Sequence, residues 1–333
     1  MSVFVLPGVR LLKPLDEGER WIIESPAGKR FGVSPGVASI MNFMQVYPDV
    51  DAANNRFGAN NVSQVIDMFA GCGIFGGDDG ESVVVPQRRI REWGRLRIDS
   101  LFSIQITLLR NPSRIFAPFA GFGFVQWIGV AIIALLISLA GIVGIVADST
   151  SFFQELVTPQ KVSDYLLMVL LMIFIISLHE YAHGAVLTSF GGQVSRMGVM
   201  LFYLSPACFC DVSDGWRLNS RKRLAVASAG IISTFMLAGL CSMLRYIPGM
   251  PSFMATLVAG LYTGAIINAI PTVKFDGYFA LMAWREQPFL RDNAMRQWKE
   301  LIVDLCSGHV AKAVHGFSGR TIYGVCALAH RWF

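Results

Sequence analysis

Long stretches without a charged residue fill the middle of the chain and predict membrane-spanning helices. Phe116–Val146 contains no Asp, Glu, Lys or Arg over 31 positions, and Leu224–Leu244 contains none over 21. Tyr246–Val273 is a third run of the same kind. A helix needs about 20 apolar residues to cross roughly 30 Å of hydrocarbon. Each run therefore predicts one transmembrane helix.

A fourth apolar segment differs because it contains ionisable residues. Tyr165–Leu178 is too short to span a membrane, and it reaches spanning length only by including His179, Glu180 and His183 and continuing to Phe190. Ionisable side chains at that depth are costly and normally face a protein interior or a polar cavity. The pattern therefore predicts a further spanning helix, the second of four in chain order, that carries a polar functional site.

Lysine and arginine are unevenly distributed between the predicted loops. They concentrate before the first span and between the second and third, whereas residues 147–164 hold one basic residue, Lys161. Because basic loops stay in the cytoplasm, this distribution predicts a multi-pass protein of the inner (cytoplasmic) membrane with both termini cytoplasmic. The ends of the second and fourth spans then share the cytoplasmic side, and the lipid bilayer surrounds the spans.

The first ninety residues have the mixed, turn-rich pattern of a small folded domain. Ser34-Pro35 predicts a helix N-cap followed by proline at the first helical position, and apolar residues at helical spacing predict a second helix over Asn61–Phe69. Strands and helices together indicate a winged-helix domain. The predicted strands are Arg10–Leu12, Arg20–Glu24, Arg30–Val33 and Val83–Val85.

The predicted fold class is therefore an α-helical membrane protein with about four transmembrane helices and a small N-terminal α+β winged-helix domain. Only 15% of residues are charged and 53% are hydrophobic, which excludes an ordinary soluble enzyme. The predicted domains are a winged-helix peptide-recognition domain over 1–86, a basic juxtamembrane linker over 87–115, a transmembrane core over 116–282 and a cytoplasmic or interfacial helical tail over 283–333.

Charge and cysteine usage narrow the range of partners. The net charge of +5 is too mild for a nucleic-acid-binding protein, and the predicted helix Asn61–Phe69 carries Asp67 but no lysine or arginine. We therefore expect no nucleic-acid partner. The six cysteines show no paired framework, which fits a reducing compartment.

The sequence His179-Glu180-Tyr181-Ala182-His183 has the H-E-x-x-H pattern. On a helix, positions i and i+4 lie on one face, so both imidazoles can bind one zinc ion. Glu180 follows the first ligand directly, where it can take a proton from the attacking water. The alternative is an interior polar cluster that pairs without a metal.

A catalytic zinc ion normally has three protein ligands, and Asp276 is the best candidate for the third. It lies at the cytoplasmic end of the fourth predicted span, the same membrane level as the histidine pair. Pro271 and Gly277 bracket it and break the helix, so its carboxylate can turn inward. The other histidines, His309, His315 and His330, lie in the tail.

H-E-x-x-H in one span and N-x-x-P-x-x-x-x-D-G over Asn268–Gly277 in a later span resemble the site-2 protease family of intramembrane zinc metalloproteases. The resemblance implies that His179, His183 and Asp276 bind zinc and that Glu180 is the general base. It also implies that Asn268 helps to hold substrate or oxyanion. The stretches 202–206 and 211–216 further resemble the branch known as peptide zinc metalloproteases.

The N-terminal pattern resembles the RiPP recognition element, a winged-helix domain that binds leader peptides in ribosomal peptide biosynthesis. The matching residues are Arg10, Pro14, Trp21, Arg30-Phe31 and the helix start at Ser34-Pro35-Gly36. The resemblance implies that a leader peptide adds as a strand to the small sheet. The alternative is a cap that only stabilises the membrane body.

Three functions follow as hypotheses. The first is an intramembrane zinc endopeptidase that cleaves at the cytoplasmic membrane face and processes a ribosomally synthesised precursor held by the N-terminal domain. The second is a non-hydrolytic precursor-binding or assembly subunit of a peptide modification or export complex. The third is a site-2 protease that cleaves a membrane-anchored regulator. The expected partners are a peptide or membrane-protein substrate and a peptide-modifying enzyme, an exporter or a further membrane subunit.

Two further segments have more than one interpretation. Gly198–Tyr203 has strand character and is either an edge for substrate pairing or part of a buried re-entrant hairpin. Cys208 and Cys210 form a C-x-C pair, which suggests a second metal site, but packing thiols are favoured because no further ligand lies at a suitable spacing.

Overall fold

A computed structural model describes residues 3–15, 21–26, 30–69, 72–77, 91–93, 96–100, 103–202, 205–286 and 290–307. The described chain is mostly helical, and its strands lie mainly in the first third. It divides into two compact units. The first comprises Met1–Pro112, Gly191–Pro206 and Asp211–Asn219, and the second comprises Ser113–Phe190, Ala207–Cys210 and Ser220–Phe333.

The strands and helices are named here in chain order. The strands are β1 Val3–Val5, β2 Arg10–Leu12, β3 Trp21–Glu24, β4 Arg30–Val33, β5 Phe75–Gly77, β6 Arg91–Trp93, β7 Leu96–Ser100, β8 Ser103–Arg110, β9 Arg196–Phe202 and β10 Ser205–Cys210. The helices are α1 Pro35–Val46, α2 Val50–Phe57, α3 Ala59–Met68, α4 Ser113–Phe116, α5 Phe124–Ala147, α6 Ser149–Val157, α7 Val162–Ser189, α8 Ser220–Leu244, α9 Phe253–Ala269, α10 Asp276–Arg285 and α11 Leu290–Cys306.

The N-terminal region folds around one apolar core. Strands β2, β3 and β4 form an antiparallel sheet, and β1 pairs with β5. Helix α1 begins as predicted, because the Ser34 hydroxyl accepts a hydrogen bond from the Val37 N–H and Pro35 occupies the first turn. Helix α2 was not predicted. The core residues include Ile23, Val33, Met41, Met44, Val62 and Val65.

The segment predicted as a juxtamembrane linker, 87–115, contains three strands. Strands β6, β7 and β8 are antiparallel neighbours, and β8 continues the sheet to β9 with a register that pairs Ile104 with Leu201. The strand order is β10-β9-β8-β7-β6. The predicted strand over Gly198–Tyr203 therefore corresponds to β9, which lies inside this sheet, and the edge position belongs to β10.

Three helices, α5, α7 and α8, are long and apolar enough to cross a membrane, judged by length and composition. The fourth predicted run, Tyr246–Val273, is helical only over the 17 residues of α9. Pro248 and Pro251 precede this helix and Pro271 follows it, and proline cannot continue a helix without loss of a backbone hydrogen bond. The predicted span Tyr246–Val273 is consequently a shorter helix than the other three.

Small residues let α5 and α8 pack closely in the second unit. A Cβ built on Gly141 would lie 2.7 Å from the Gly239 Cα, so the two backbones meet at these glycines. The Ser242 hydroxyl donates a hydrogen bond of 2.9 Å to the Gly141 carbonyl. Close approach at small residues is the usual way in which membrane helices associate.

Part of the predicted tail is helical, since α11 lies within it. The tail histidines His309, His315 and His330 and the predicted strand Val83–Val85 lie outside the described residues.

Candidate metal centre

Helix α7 presents two buried histidines to α8. The Nδ1 atom of His183 lies 2.7 Å from the Val226 carbonyl oxygen. Because a carbonyl only accepts, this nitrogen donates, and the neutral ring then carries its free lone pair on Nε2. The hydrogen bond fixes both the orientation of the ring and the nitrogen that is free to bind a metal.

The second ring is held in the same way by a hydroxyl group. The Nδ1 atom of His179 lies 2.8 Å from the Thr234 Oγ1, and that hydroxyl donates its own proton to the Gly230 carbonyl at 3.0 Å. The hydroxyl oxygen therefore accepts from His179, which again leaves Nε2 with the free lone pair.

The third predicted ligand reaches the site from the start of α10. Helix α9 ends at Ala269, and Ile270 is extended because Pro271 follows it. The chain then turns, and α10 begins with Asp276. A Cβ on the next residue, Gly277, would lie 2.2 Å from the Ala269 carbonyl oxygen. Only glycine permits this close approach, which explains the Asp-Gly pair.

The three predicted ligand atoms converge. The Asp276 Oδ2 lies 2.8 Å from the His179 Nε2 and 3.2 Å from the His183 Nε2, and the two nitrogens are 3.3 Å apart. A tetrahedral zinc ion with bonds of about 2.0–2.1 Å holds its ligand atoms about 3.3 Å from one another. The spacing of the three atoms is therefore close to that of a zinc site.

The space in front of the imidazoles depends on Gly230. A Cβ on this residue would lie 2.4 Å from the Nε2 atoms of both His179 and His183. The carboxyl group of an aspartate is ionised at neutral pH. Two imidazoles with free Nε2 lone pairs and one carboxylate form a donor set that fits a divalent metal ion.

Glu180 is oriented by the end of β10. Its Oε2 accepts a hydrogen bond of 2.9 Å from the backbone N–H of Cys210. The strand approaches α7 closely because Gly184 has no side chain, and a Cβ there would lie 2.4 Å from the Phe116 ring and 3.1 Å from the Cys210 sulfur. The carboxylate beside the first histidine is thus held by a backbone amide.

Asn268 also lies against the cluster. Its Nδ2 donates a hydrogen bond of 2.9 Å to the Asp276 Oδ2 and lies 3.3 Å from the His179 Nε2. Four predicted site residues are therefore in contact, with Glu180 next to His179 in the chain, although β9, β10 and α8 separate the motif in α7 from the one in α9 and α10. A role of Asn268 in holding substrate stays a prediction.

The C-x-C pair does not gather further metal ligands. The Cys208 sulfur lies 3.2 Å from the Ser177 hydroxyl, and both cysteines are half-buried and form no disulfide. Within the described part of the chain, His179, His183 and Asp276 are the one group of three or more such side chains with metal-binding geometry.

Four contributors to the site were not predicted from the sequence: Thr234, Gly230, the Val226 carbonyl and the Cys210 amide. Gly230 and Thr234 are four residues apart in an apolar helix, so a small residue and a hydroxyl on one helix face were an available signal. The two backbone groups could not be predicted from residue type, because every residue except proline supplies both a backbone donor and a backbone acceptor.

Comparisons with known proteins identify no relative from which a function could be assigned to this site. No protein-family model, no curated protein and no solved structure matches the chain.

Proposed function

We propose that the protein is an intramembrane zinc endopeptidase of the site-2 protease type. The observation that carries this proposal is the convergence of His179, His183 and Asp276. The two histidines, and Glu180 next to the first of them, lie on α7, a helix long and apolar enough to cross a membrane. In this proposal α9 is a fourth, shorter span beside the three long apolar helices. Both termini face the cytoplasm of a cell whose inner membrane holds the protein.

His179, His183 and Asp276 would hold the zinc ion. When bound, zinc polarises a carbonyl group and lowers the pKa of water towards 7. Thr234 and the Val226 carbonyl keep the two imidazoles in the tautomer that binds metal.

Glu180 transfers the proton during hydrolysis. Its carboxylate accepts a proton from the attacking water while the water oxygen bonds to the carbonyl carbon of the peptide. The same carboxyl group then donates that proton to the amide nitrogen as the C–N bond breaks. The Cys210 amide holds Oε2 throughout, so the carboxylate keeps its direction. Asn268 donates from Nδ2 to the substrate carbonyl oxygen.

The substrate is an extended peptide, because the amides of a helix are shielded by their own hydrogen bonds. Strand β10 has the edge position in its sheet and ends at the residue that contacts Glu180. A peptide added along β10 by backbone hydrogen bonds runs towards the general base. This supports the proposal that pairing with β10 selects an extended segment.

The precursor of a ribosomally synthesised peptide is the proposed substrate. The N-terminal region, with its three-stranded antiparallel sheet over helices, resembles a leader-peptide-binding winged-helix domain. Capture of the leader raises the effective concentration of the cleavage segment near the zinc. A peptide-modifying enzyme or an exporter is the corresponding partner.

The decisive experiment measures the zinc content of the full-length protein purified in mild detergent. We expect about one zinc ion per chain, with strong loss in His183→Ala and Asp276→Ala and no loss in the control Asp67→Asn, which changes an exposed carboxylate on α3. A folded wild-type protein without tightly bound zinc would overturn the enzyme proposal and favour a precursor-delivery subunit.

Glu180→Gln separates binding from chemistry. We expect this variant to keep its zinc and to lose cleavage of a membrane-inserted reporter peptide by about 100- to 10,000-fold, the usual contribution of a general base. Normal cleavage by the variant would show that another group moves the proton.

A further inference from the structure

Helices α5, α7 and α8 of the second unit line a half-open apolar cavity of about 410 Å³. Small side chains from all three helices line it and keep it open. The larger rings of Trp127 and Tyr181 also line it. The metal ligands do not line this cavity, so it is separate from the proposed active site. The small lining residues include Ala131, Ala134, Ala182, Ala185 and Ala225.

One end of the cavity carries a positive charge. Arg221, in the first turn of α8, lines the cavity and is exposed, and within the described residues it has no ion-pair or hydrogen-bond partner. The Trp127 ring lines the same cavity, and its N–H donates to the Ser189 hydroxyl at 2.6 Å. Tryptophan, tyrosine and arginine are the residues that mark the interface between hydrocarbon and headgroups.

The interior of the cavity offers no free polar donor. The hydroxyl groups of Ser228 and Ser233 both line it, and each donates to a carbonyl of its own helix at 2.8 Å. A ligand must therefore be apolar along its body and negatively charged at the end next to Arg221.

The dimensions distinguish an acyl chain from a polypeptide. The lining residues of α8 run from Arg221 to Leu237, about 24 Å at a rise of about 1.5 Å per residue. A helix about 10 Å wide would occupy about 1,900 Å³ over that length, more than the empty space of about 1210 Å³ between the lining residues. An extended peptide would bury amide groups without partners in the apolar interior, which is costly.

We propose that this cavity binds one acyl chain of a membrane phospholipid whose anionic headgroup pairs with Arg221. The site is a structural lipid site on the face of α7 that carries Tyr181 and Ala185. It does not depend on the function of the metal centre.

Trp127 provides the readout. The full-length protein is placed in nanodiscs of phosphatidylcholine that contain a small fraction of phospholipid with brominated acyl chains, since bromine quenches nearby tryptophan. The chain has seven tryptophans, so the Trp127 signal is the difference between the wild type and Trp127→Phe. We expect brominated phosphatidylglycerol to quench this signal at lower mole fraction than brominated phosphatidylcholine does.

Two variants test the two halves of the site. Arg221→Gln should reduce the preference for phosphatidylglycerol about fivefold, the effect of one basic residue at an anionic membrane surface, and Arg221→Lys should retain it. Ala131→Phe fills the cavity and should abolish the saturable quenching by either lipid. Ile133→Phe is the matched control, because Ile133 is exposed on α5 and does not line the cavity.

Equal quenching by the two brominated lipids, or an unchanged preference in Arg221→Gln, would overturn the proposal. Relief of the quenching by an added hydrophobic transmembrane peptide, with no difference between the lipids, would assign the cavity to a polypeptide instead. Circular dichroism of each variant verifies that the helices are intact.

Discussion

Gly230 is the smallest residue in the candidate metal centre, and the geometry leaves no room for a side chain at its position. Gly230 lies on α8 opposite both histidines, and a methyl group there would overlap the two Nε2 atoms that face Asp276. The carbonyl oxygen of the same residue accepts a hydrogen bond from the Thr234 hydroxyl. Gly230 thus leaves the volume for a metal ion and also anchors the group that orients His179.

Replacement of Gly230 by alanine should empty the metal site. The added Cβ lies 2.4 Å from each Nε2, so the imidazoles must move and the three ligand atoms no longer converge. We expect the zinc content of the purified variant, measured by mass spectrometry, to fall at least tenfold, as in other sites with disturbed ligand orientation.

Gly264→Ala is the control for this substitution. Gly264 lies on α9, and a Cβ built on it meets no atom within 4 Å. This variant should bind zinc as the wild type does. Equal zinc contents in Gly230→Ala, Gly264→Ala and the wild type would contradict the role assigned to Gly230.

At the scale of whole elements, the second unit depends on how closely its helices approach one another. Gly141 on α5 and Gly239 on α8 bring the two backbones together, and the Tyr262 hydroxyl of α9 donates to the Ser138 carbonyl at 2.9 Å. Between apolar helices in lipid, such close packing and interhelical hydrogen bonds supply the attraction that the hydrophobic effect supplies in water. Helix α8 is the element that contacts α5, α7, α9 and α10.

Gly141→Ala should separate α5 from α8. The new Cβ would lie 2.7 Å from the Gly239 Cα and 3.0 Å from its carbonyl oxygen, and neither backbone atom can move independently of its helix. We expect a loss of about 1–3 kcal/mol in the free energy of unfolding, the usual cost of overpacking. Thermal unfolding in detergent, followed by circular dichroism, measures it.

Gly129→Ala on the same helix tests the alternative that any alanine in α5 is harmful. A Cβ at Gly129 meets nothing within 4 Å, and alanine is a better helix former than glycine by about 1 kcal/mol. This control should be as stable as the wild type or more stable. Similar losses in both variants would argue against a specific contact at Gly141.

For the molecule as a whole, a bound metal ion would join segments that are far apart in sequence. His183 and Asp276 are 93 positions apart, and they lie on α7 and on α10. An ion held by both elements binds the folded chain but not an unfolded one, so binding free energy adds to stability.

Removal of zinc should therefore lower the stability of the whole second unit. We expect zinc at 100 times its dissociation constant to stabilise the protein by about 2.7 kcal/mol relative to the chelated form. Unfolding curves with zinc and with a chelator, recorded at several zinc concentrations, give this difference. Asp276→Ala should show little dependence on zinc, and an equal dependence in that variant would place the stabilising ion elsewhere.

Much of this architecture was evident in local sequence patterns. The strands β2 and β4 have the predicted bounds, α1 starts at the predicted cap, and α5, α7 and α8 largely coincide with predicted apolar segments. The spacing of His179 and His183 places them on one helix face whatever surrounds them. These features depend on groups within a few residues of one another, through helical periodicity, strand alternation and capping, so the sequence alone was sufficient to predict them.

Other features depended on contacts between distant segments, and only the tertiary structure shows them. The partners of His179 and His183 are 55 and 43 positions away, and one of them is a backbone carbonyl. Strands β6, β7 and β8 lie in an arginine-rich stretch predicted to be a linker, although Ile104, Ile106 and Leu108 alternate there with polar residues. Such alternation indicates a strand but not its partner, and the sheet continues to β9 almost a hundred residues later. No sequence pattern indicates that a side chain would not fit at Gly230 or Gly277, or that the Cys210 amide donates to Glu180. Both kinds of contact arise only when separate elements pack together.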